Sequence, residues 1–205
     1  MKDLAQRFIE NPLLSTADIP PSRAGLEITC LLNPGVFQFE GKTWLIVRVA
    51  ERPKQKENSI SFPILTETGA IEIIEIPTDG PELDASDARV INYKGVDYLT
   101  TLSHLRLLCS EDGRQFYEPE NYSPLVGGGI LETFGIEAYR VSLINGIYHV
   151  TLTAVSDNGV GRWFTNGHVV NPDGDTVTLY YGASDEFVCG AEFSIAEIYS
   201  LLKFI

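Results

Sequence analysis

Two acidic side chains three residues apart are the first place where the sequence could hold acid–base chemistry. Asp84 and Asp87 lie within residues 83–89, and a pair of carboxyl groups can supply both a general acid and a general base. The same pattern is typical of a turn that enters a strand, because short acidic side chains hydrogen-bond the backbone nearby. The turn is the favoured interpretation.

Three dispersed histidines, His104, His149 and His168, form no closely spaced pair of the kind that holds zinc, so we predict no metal and no other cofactor. His104 is a candidate to face a pocket beside Ser103, although a hydrogen-bonded strand histidine explains it equally well. Residues 127–129 are all glycine but lack the pattern of a phosphate loop. No Gly-x-Ser-x-Gly elbow is present, so serine hydrolase chemistry has no support.

The composition excludes several classes of protein. With 15 Lys and Arg against 28 Asp and Glu, the net charge is −13, which argues against a nucleic-acid or anionic-membrane surface. No window approaches the ~18 consecutive apolar residues of a membrane span, and the N-terminus does not resemble a secretion signal. Cys30, Cys109 and Cys189 are far apart and are expected to be buried free thiols. These features predict a cytoplasmic protein.

The elements that must position any site are mostly strands. Helices are predicted only at the ends, over residues 2–14 and from Ser194 to Phe204, where Ser194 is a candidate N-cap. Between them, short β-branched or aromatic runs are bounded by turn residues. The clearest of these predicted strands are residues 45–49, 71–76, 149–153 and 176–180.

An internal repeat favours a β-propeller. Three segments share the same order of features: a strand, a glycine turn, an aromatic residue and a second strand. Their turn glycines are Gly41, Gly95 and Gly146, which lie 54 and 51 residues apart. Four-stranded blades repeat at ~40–50 residues. The next similar turn, at Gly174, follows after only 28 residues, which is too short for a blade. About three blades cannot close a ring, since propellers typically have ~4–8.

Several motifs together resemble those of glycoside hydrolase family 130, which contains mannoside phosphorylases and mannosidases on a five-bladed propeller. The resemblance covers most of residues 28–200. It rests on residues 33–35, 45–48, 98–106, 132–160 and 180–185. It implies a protein related to inverting phosphorolysis or hydrolysis of β-mannosides, with inorganic phosphate left open as a co-substrate.

Two departures from the family pattern bear on activity. The family motif is Gly-x-Glu-Asp-x-Arg and its Asp is the general acid, but Ala138 stands at that position here. Alanine cannot protonate the leaving oxygen that glycoside cleavage requires. A stretch corresponding to roughly two blades is also missing near residues 161–163, and in the family it supplies a Lys and a His that help to hold phosphate.

The resemblance implies which residues form the remaining half-site. Asn33 and Arg48 would reach toward the sugar, Glu137 and Arg140 would flank the Ala138 position, and Asp185 would accept hydrogen bonds from sugar hydroxyls. Four of these five residues also have a structural alternative. Arg48 and Arg140 could be ion-pair partners, Asp185 a turn residue, and Glu137 a solvated edge acid.

The resulting prediction is an all-β protein. Residues 1–25 would form an N-terminal helix and linker, and residues 26–205 an incomplete β-propeller of about three blades that ends in a helix. Its partner would be a β-mannoside oligosaccharide, with no nucleic acid and no membrane, and homo-oligomer formation is left open. The leading hypothesis is a weak or inactive glycosidase-like protein. The alternatives are a non-catalytic mannoside-binding module and a structural remnant that another chain completes.

Overall fold

The computed structural model describes residues 4–66, 70–120, 125–126, 135–144, 147–154, 167–183 and 187–201. These residues are mostly strand, so the predicted all-β class is confirmed. The strands are β1 (Gln6–Arg7), β2 (Leu14–Ser15), β3 (Leu26–Phe39), β4 (Lys42–Pro53), β5 (Ser59–Leu65), β6 (Ile71–Pro77), β7 (Leu83–Asp84), β8 (Val90–Tyr93), β9 (Val96–Leu99), β10 (Leu102–Ser110), β11 (Leu125–Val126), β12 (Ile136–Ile144), β13 (Ile147–Ala154), β14 (Gly167–Val170), β15 (Thr176–Ala183) and β16 (Phe187–Ser194).

The described part of the chain contains one α-helix, α1 (Ile195–Leu201). Its start was predicted from the sequence and is confirmed, since the Glu197 N–H donates to Ser194 Oγ at 3.3 Å, as an N-cap serine requires. No helix in the described ranges is long and apolar enough to cross a membrane.

The predicted N-terminal helix is wrong. Residues 6–7 and 14–15 instead form β1 and β2, both paired with β16, and a 3-10 turn follows at Thr16–Asp18. Asn11 explains the preference, because its side-chain amide exchanges two hydrogen bonds of 2.9 Å with the backbone of Gly190. Its amide thus takes the place of a strand partner on β16, and Pro12 after it removes a backbone donor that a helix would need.

The strands predicted from the sequence lie within β4, β6, β13 and β15. Two of the predicted glycine turns are two-residue hairpin turns with positive φ at both positions, Glu40-Gly41 and Lys94-Gly95. In the third repeat β12 pairs with β13, and Ile144 lies opposite Ile147. Its turn at residues 145–146 lies outside the described residues.

The strands form five separate sheets, and none of them closes on itself within the described ranges. The largest two have the orders β11-β10-β4-β3 and β1-β16-β15-β14, with β2 also paired to β16. They pack face to face through a shared apolar core that includes Leu31, Val47, Val49, Tyr180 and Val188. The smaller β5-β6 and β7-β8-β9 sheets share a second core around Phe62, Ile76 and Ile91.

Candidate functional site

The antiparallel pair of β4 and β10 positions the candidate residues, because successive side chains of a strand point to opposite faces. The register places Leu105 opposite Arg48 and Leu102 opposite Glu51. One face, here called the core face, carries Val47, Val49 and Glu51 of β4 with His104 and Arg106 of β10. The other, here called the site face, carries Ile46 and Arg48 of β4 with Ser103 and Leu105 of β10.

The site face orients Arg48. The Nε and Nη2 atoms of Arg48 donate to Ser103 Oγ at 3.2 and 3.0 Å. Both bonds leave one edge of a planar guanidinium, so they fix its plane as well as its position. Ser103 is only 3% exposed, which shields the pair of bonds from competition with water.

The strand that carries the family-like motif lies against this same face. Ile136 at the start of β12 is buried with Leu105 and Ile46. Just before it, Gly135 forms a parallel bridge with Ser103. The motif strand therefore begins next to the serine that holds Arg48, and its first residue packs on the site face.

The position of the family's general acid falls in a β-bulge. Glu137 pairs with Thr153 and Arg140 pairs with Thr151, so Ala138 and Tyr139 together oppose one residue of β13. Such an extra residue bends a strand and re-aims its side chains, and bulges are frequent beside active sites. The Arg140 side chain is exposed. The side chains of Glu137 and Ala138 lie outside the described part of the structure.

Asn33 lies in a second bulge, next in sequence to the residue that pairs with Arg48. Leu32 lies opposite Arg48 and Gly35 opposite Ile46, so Asn33 and Pro34 together oppose one residue of β4, Val47. Asn33 is half-buried and directly follows the residue that faces Arg48 across the sheet. Asp185, the last of the predicted sugar ligands, lies outside the described residues.

His104 lies on the opposite face from Arg48, and this corrects the expectation that it faces a pocket beside Ser103. Adjacent residues of a strand cannot share a face of a regular sheet. The His104 side chain has no exposed surface, and its Nε2 lies 3.1 Å from Oε2 of the equally buried Glu51. Among the described residues neither ring nitrogen has a partner that meets hydrogen-bond geometry, so the hydrogen-bonded alternative is not confirmed either, and the close polar neighbour of the ring is the Glu51 carboxylate.

Glu51 in turn anchors the segment before β3. Its carboxylate accepts hydrogen bonds from the backbone N–H and the hydroxyl of Ser22, at 2.6 and 2.5 Å. Burial by itself raises the pKa of Glu51, but the contacts with His104 and Ser22 outweigh burial and hold the pKa below its ordinary value. Arg106 acts in the same region, where it pairs with Glu118 and donates to the Pro20 carbonyl at 3.0 Å.

Asp84 and Asp87, the pair of acids considered in the sequence, have structural roles. Asp84 accepts a hydrogen bond of 3.0 Å from the Ser86 N–H, and Asp87 accepts one of 2.8 Å from the Arg89 N–H. Both acids therefore close turns, as the favoured interpretation predicted. In the described part of the chain no cluster of three or more His, Cys, Asp or Glu side chains could hold a metal ion, and all three cysteines are free.

The chain is similar to known enzymes in both sequence and structure. It is 36% identical over 160 residues to a curated β-1,2-mannobiose phosphorylase of Listeria innocua, a match that covers 75% of this chain and 45% of the relative. The chain thus spans less than half of the length of that relative. The chain therefore resembles glycoside hydrolase family 130 over the matched residues. The resemblance predicted from the motifs is therefore confirmed.

The structural match supports the family fold. A solved structure of β-1,2-mannobiose phosphorylase from Listeria innocua, in complex with β-1,2-mannobiose, superimposes with a TM-score of 0.81 at 20% identity and covers 97% of this chain and 99% of that chain. At this identity the match shows the fold alone, which is propeller-like. The number of blades stays a prediction. No family model matches the chain.

Proposed function

We propose that this family-130-like chain binds a β-mannoside on the site face and turns it over weakly or not at all. The observation that carries the proposal is Arg48, which Ser103 holds beside the motif strand in a chain 36% identical to a β-1,2-mannobiose phosphorylase. A guanidinium fixed in its plane donates directed hydrogen bonds to sugar hydroxyls or to phosphate. Asn33, Glu137, Arg140 and Asp185 would complete the sugar contacts.

Catalysis by this chain would lack its acid. In an inverting enzyme a carboxylic acid protonates the leaving oxygen while water attacks from the opposite face, and in a phosphorylase phosphate takes the place of that water. Ala138 supplies no proton at the bulge where the family motif has its Asp. Binding does not require that proton, because hydroxyl recognition depends on the surrounding donors and acceptors. The proposal is therefore a mannoside-binding protein with at most residual turnover.

Calorimetric titration tests this function. The purified chain would be titrated with a panel of mannobioses that includes β-1,2-mannobiose, with and without inorganic phosphate, and then assayed for turnover. Saturable binding without turnover is the expected result, and tighter binding with phosphate would favour phosphorylase ancestry. A folded sample that binds none of the panel would contradict the proposal.

A second candidate is that another copy of the chain completes the fold. An apolar groove of about 510 Å³ lies between β14, β15, β16 and α1. Val170 and Tyr199 on this groove are 58% and 63% exposed, which is costly for large side chains unless something covers them. Light scattering separates the candidates. A dimer that dissociates on Tyr199→Lys would support this one, and a monomer at all concentrations would exclude it.

A further inference from the structure

At Ser103 and Gly135, β10 and the start of β12 meet through their backbone atoms. Gly135 has φ +93, a conformation that L side chains rarely adopt, and a Cβ built on it would lie 2.1 Å from the Ser103 carbonyl oxygen. The same Cβ would lie 3.0 and 3.1 Å from the Ser103 carbonyl carbon and nitrogen. Because every one of these atoms is backbone, no side chain can move aside to accommodate it. Any residue other than glycine must push β12 away from β10.

Ser103 links this contact to Arg48. Its backbone meets Gly135, while its hydroxyl accepts the two hydrogen bonds from Arg48. A serine hydroxyl can accept two hydrogen bonds and still donate one, so both bonds can form at once. Ile136, the next residue after Gly135, is 3% exposed and packs against Leu105, which fixes the direction in which the motif strand continues. Ser103 thus contacts both the guanidinium of Arg48 and the backbone at the start of the motif strand.

We propose that Ser103 and Gly135 are positioning residues that hold Arg48 in register with the motif strand for mannoside binding. The role in binding rests on the proposed function, whereas the positioning of Arg48 does not. Neither residue needs to touch the sugar. Ser103 acts through the guanidinium, and Gly135 acts by letting the strand that carries residues 137–140 approach the backbone of β10.

The binding test compares matched pairs of variants by calorimetry with β-1,2-mannobiose. Ser103→Ala is expected to weaken binding about tenfold, because Arg48 loses both of the hydrogen bonds that it donates to Ser103, and Ser103→Thr, which keeps the hydroxyl, should restore it. Ser61→Ala is the control, because Ser61 is also 3% exposed on a strand but lies in another sheet. Wild-type affinity in Ser103→Ala would overturn the role in binding.

Gly135→Ala is compared with Gly95→Ala. Gly95 has a similar φ of +78 but nothing within 4 Å of its built Cβ, so this control carries the conformational strain without the collision. We expect Gly135→Ala to weaken mannobiose binding by more than tenfold and Gly95→Ala to leave it unchanged. Equal affinities in the two variants would overturn the role of Gly135. If Gly135→Ala fails to fold, the Ser103 variants still decide the proposal.

A spectroscopic readout makes the positioning claim independent of sugar binding. In NMR spectra of the free protein, the Nε–H resonance of Arg48 should exchange slowly with water because Ser103 accepts it. This resonance should shift and exchange rapidly in Ser103→Ala. In Ser103→Thr and Ser61→Ala it should still exchange slowly. An unchanged resonance in Ser103→Ala would overturn the positioning proposal, whatever the result of the mannobiose titration. A wild-type protein that shows this resonance but binds no mannobiose would instead overturn the proposed function.

Discussion

The two faces of the β4–β10 pair both hold polar side chains, but the surroundings of those side chains differ. On the core face, Glu51 and His104 have no exposed surface and tie the Ser22 segment to the sheet. On the site face, Arg48 is half-buried and meets a serine beside the motif strand. Burial of Glu51 with its partners supports the fold, whereas Arg48 is only half-buried and Ser103 fixes the plane of its guanidinium. Two residues that are adjacent in a strand, such as Ser103 and His104, therefore need not share a function, because their side chains lie on opposite faces of the sheet.

The largest effect is expected from breaking the core face. Glu51→Ala should lower the free energy of unfolding by about 3 kcal/mol, because it removes the acceptor of the two Ser22 donors and the carboxylate beside the fully buried His104 ring. Urea denaturation followed by circular dichroism measures the change.

Glu27→Ala is the matched control for this variant. Glu27 of β3 pairs at 2.6 Å with Arg52 of β4, the strand that carries Glu51, but the two side chains are 39% and 46% exposed. A solvated pair of this kind contributes about 0–1 kcal/mol. If both glutamate variants were equally stable, the core face would not have the structural role assigned to it.

The pH dependence of stability should also report on the core face. The pKa of Glu51 is lowered in the folded protein from its ordinary value of 4.5. The carboxylate therefore stabilises the fold fully above that value, and its contribution is lost as the pH falls through 4.5 toward the folded-state pKa. The difference in Tm between wild type and Glu51→Gln should shrink as the pH is lowered from 7 to below 4.5. A difference that stays constant over this range would show that the Glu51 carboxylate is not linked to folding.

The smallest effect is expected from restoring the acid on the motif strand. Ala138→Asp should recover far less than the ~10²–10⁴-fold that general acid catalysis supplies, because the family resemblance implies that the phosphate-holding stretch is missing. Turnover of β-1,2-mannobiose with and without phosphate measures this outcome, and Ala138→Asn is the control that cannot donate a carboxyl proton. Full activity in Ala138→Asp would mean that the missing stretch is dispensable.

Much of the fold could be predicted from the sequence, because local patterns determine it. The β-branched runs and the glycine turns at Gly41 and Gly95 specify hairpins through short-range chemistry. The N-terminal segment could not be predicted in this way. Its apolar spacing fits a helix, but the decisive contact is between Asn11 and Gly190, at the other end of the chain.

The candidate site could be predicted only in part. The residue types at Arg48 and along the motif strand could be matched to a family, but the two bulges at residues 33–34 and 138–139 depend on register across the sheets. The position of His104 relative to Ser103 could have been inferred from the alternation of β10, because adjacent strand residues face opposite sides. The partner of His104 could not, since Glu51 lies on another strand.

Calorimetric titration of wild type, Arg48→Ala and Arg52→Ala with β-1,2-mannobiose tests the assignment of binding to the site face most directly. Arg52 is an exposed arginine on the same strand, paired with Glu27. We expect Arg48→Ala to weaken binding at least tenfold, since hydrogen bonds from a charged donor contribute about 1.5–3 kcal/mol, and Arg52→Ala to bind as wild type does. Equal binding by Arg48→Ala and wild type would contradict that assignment.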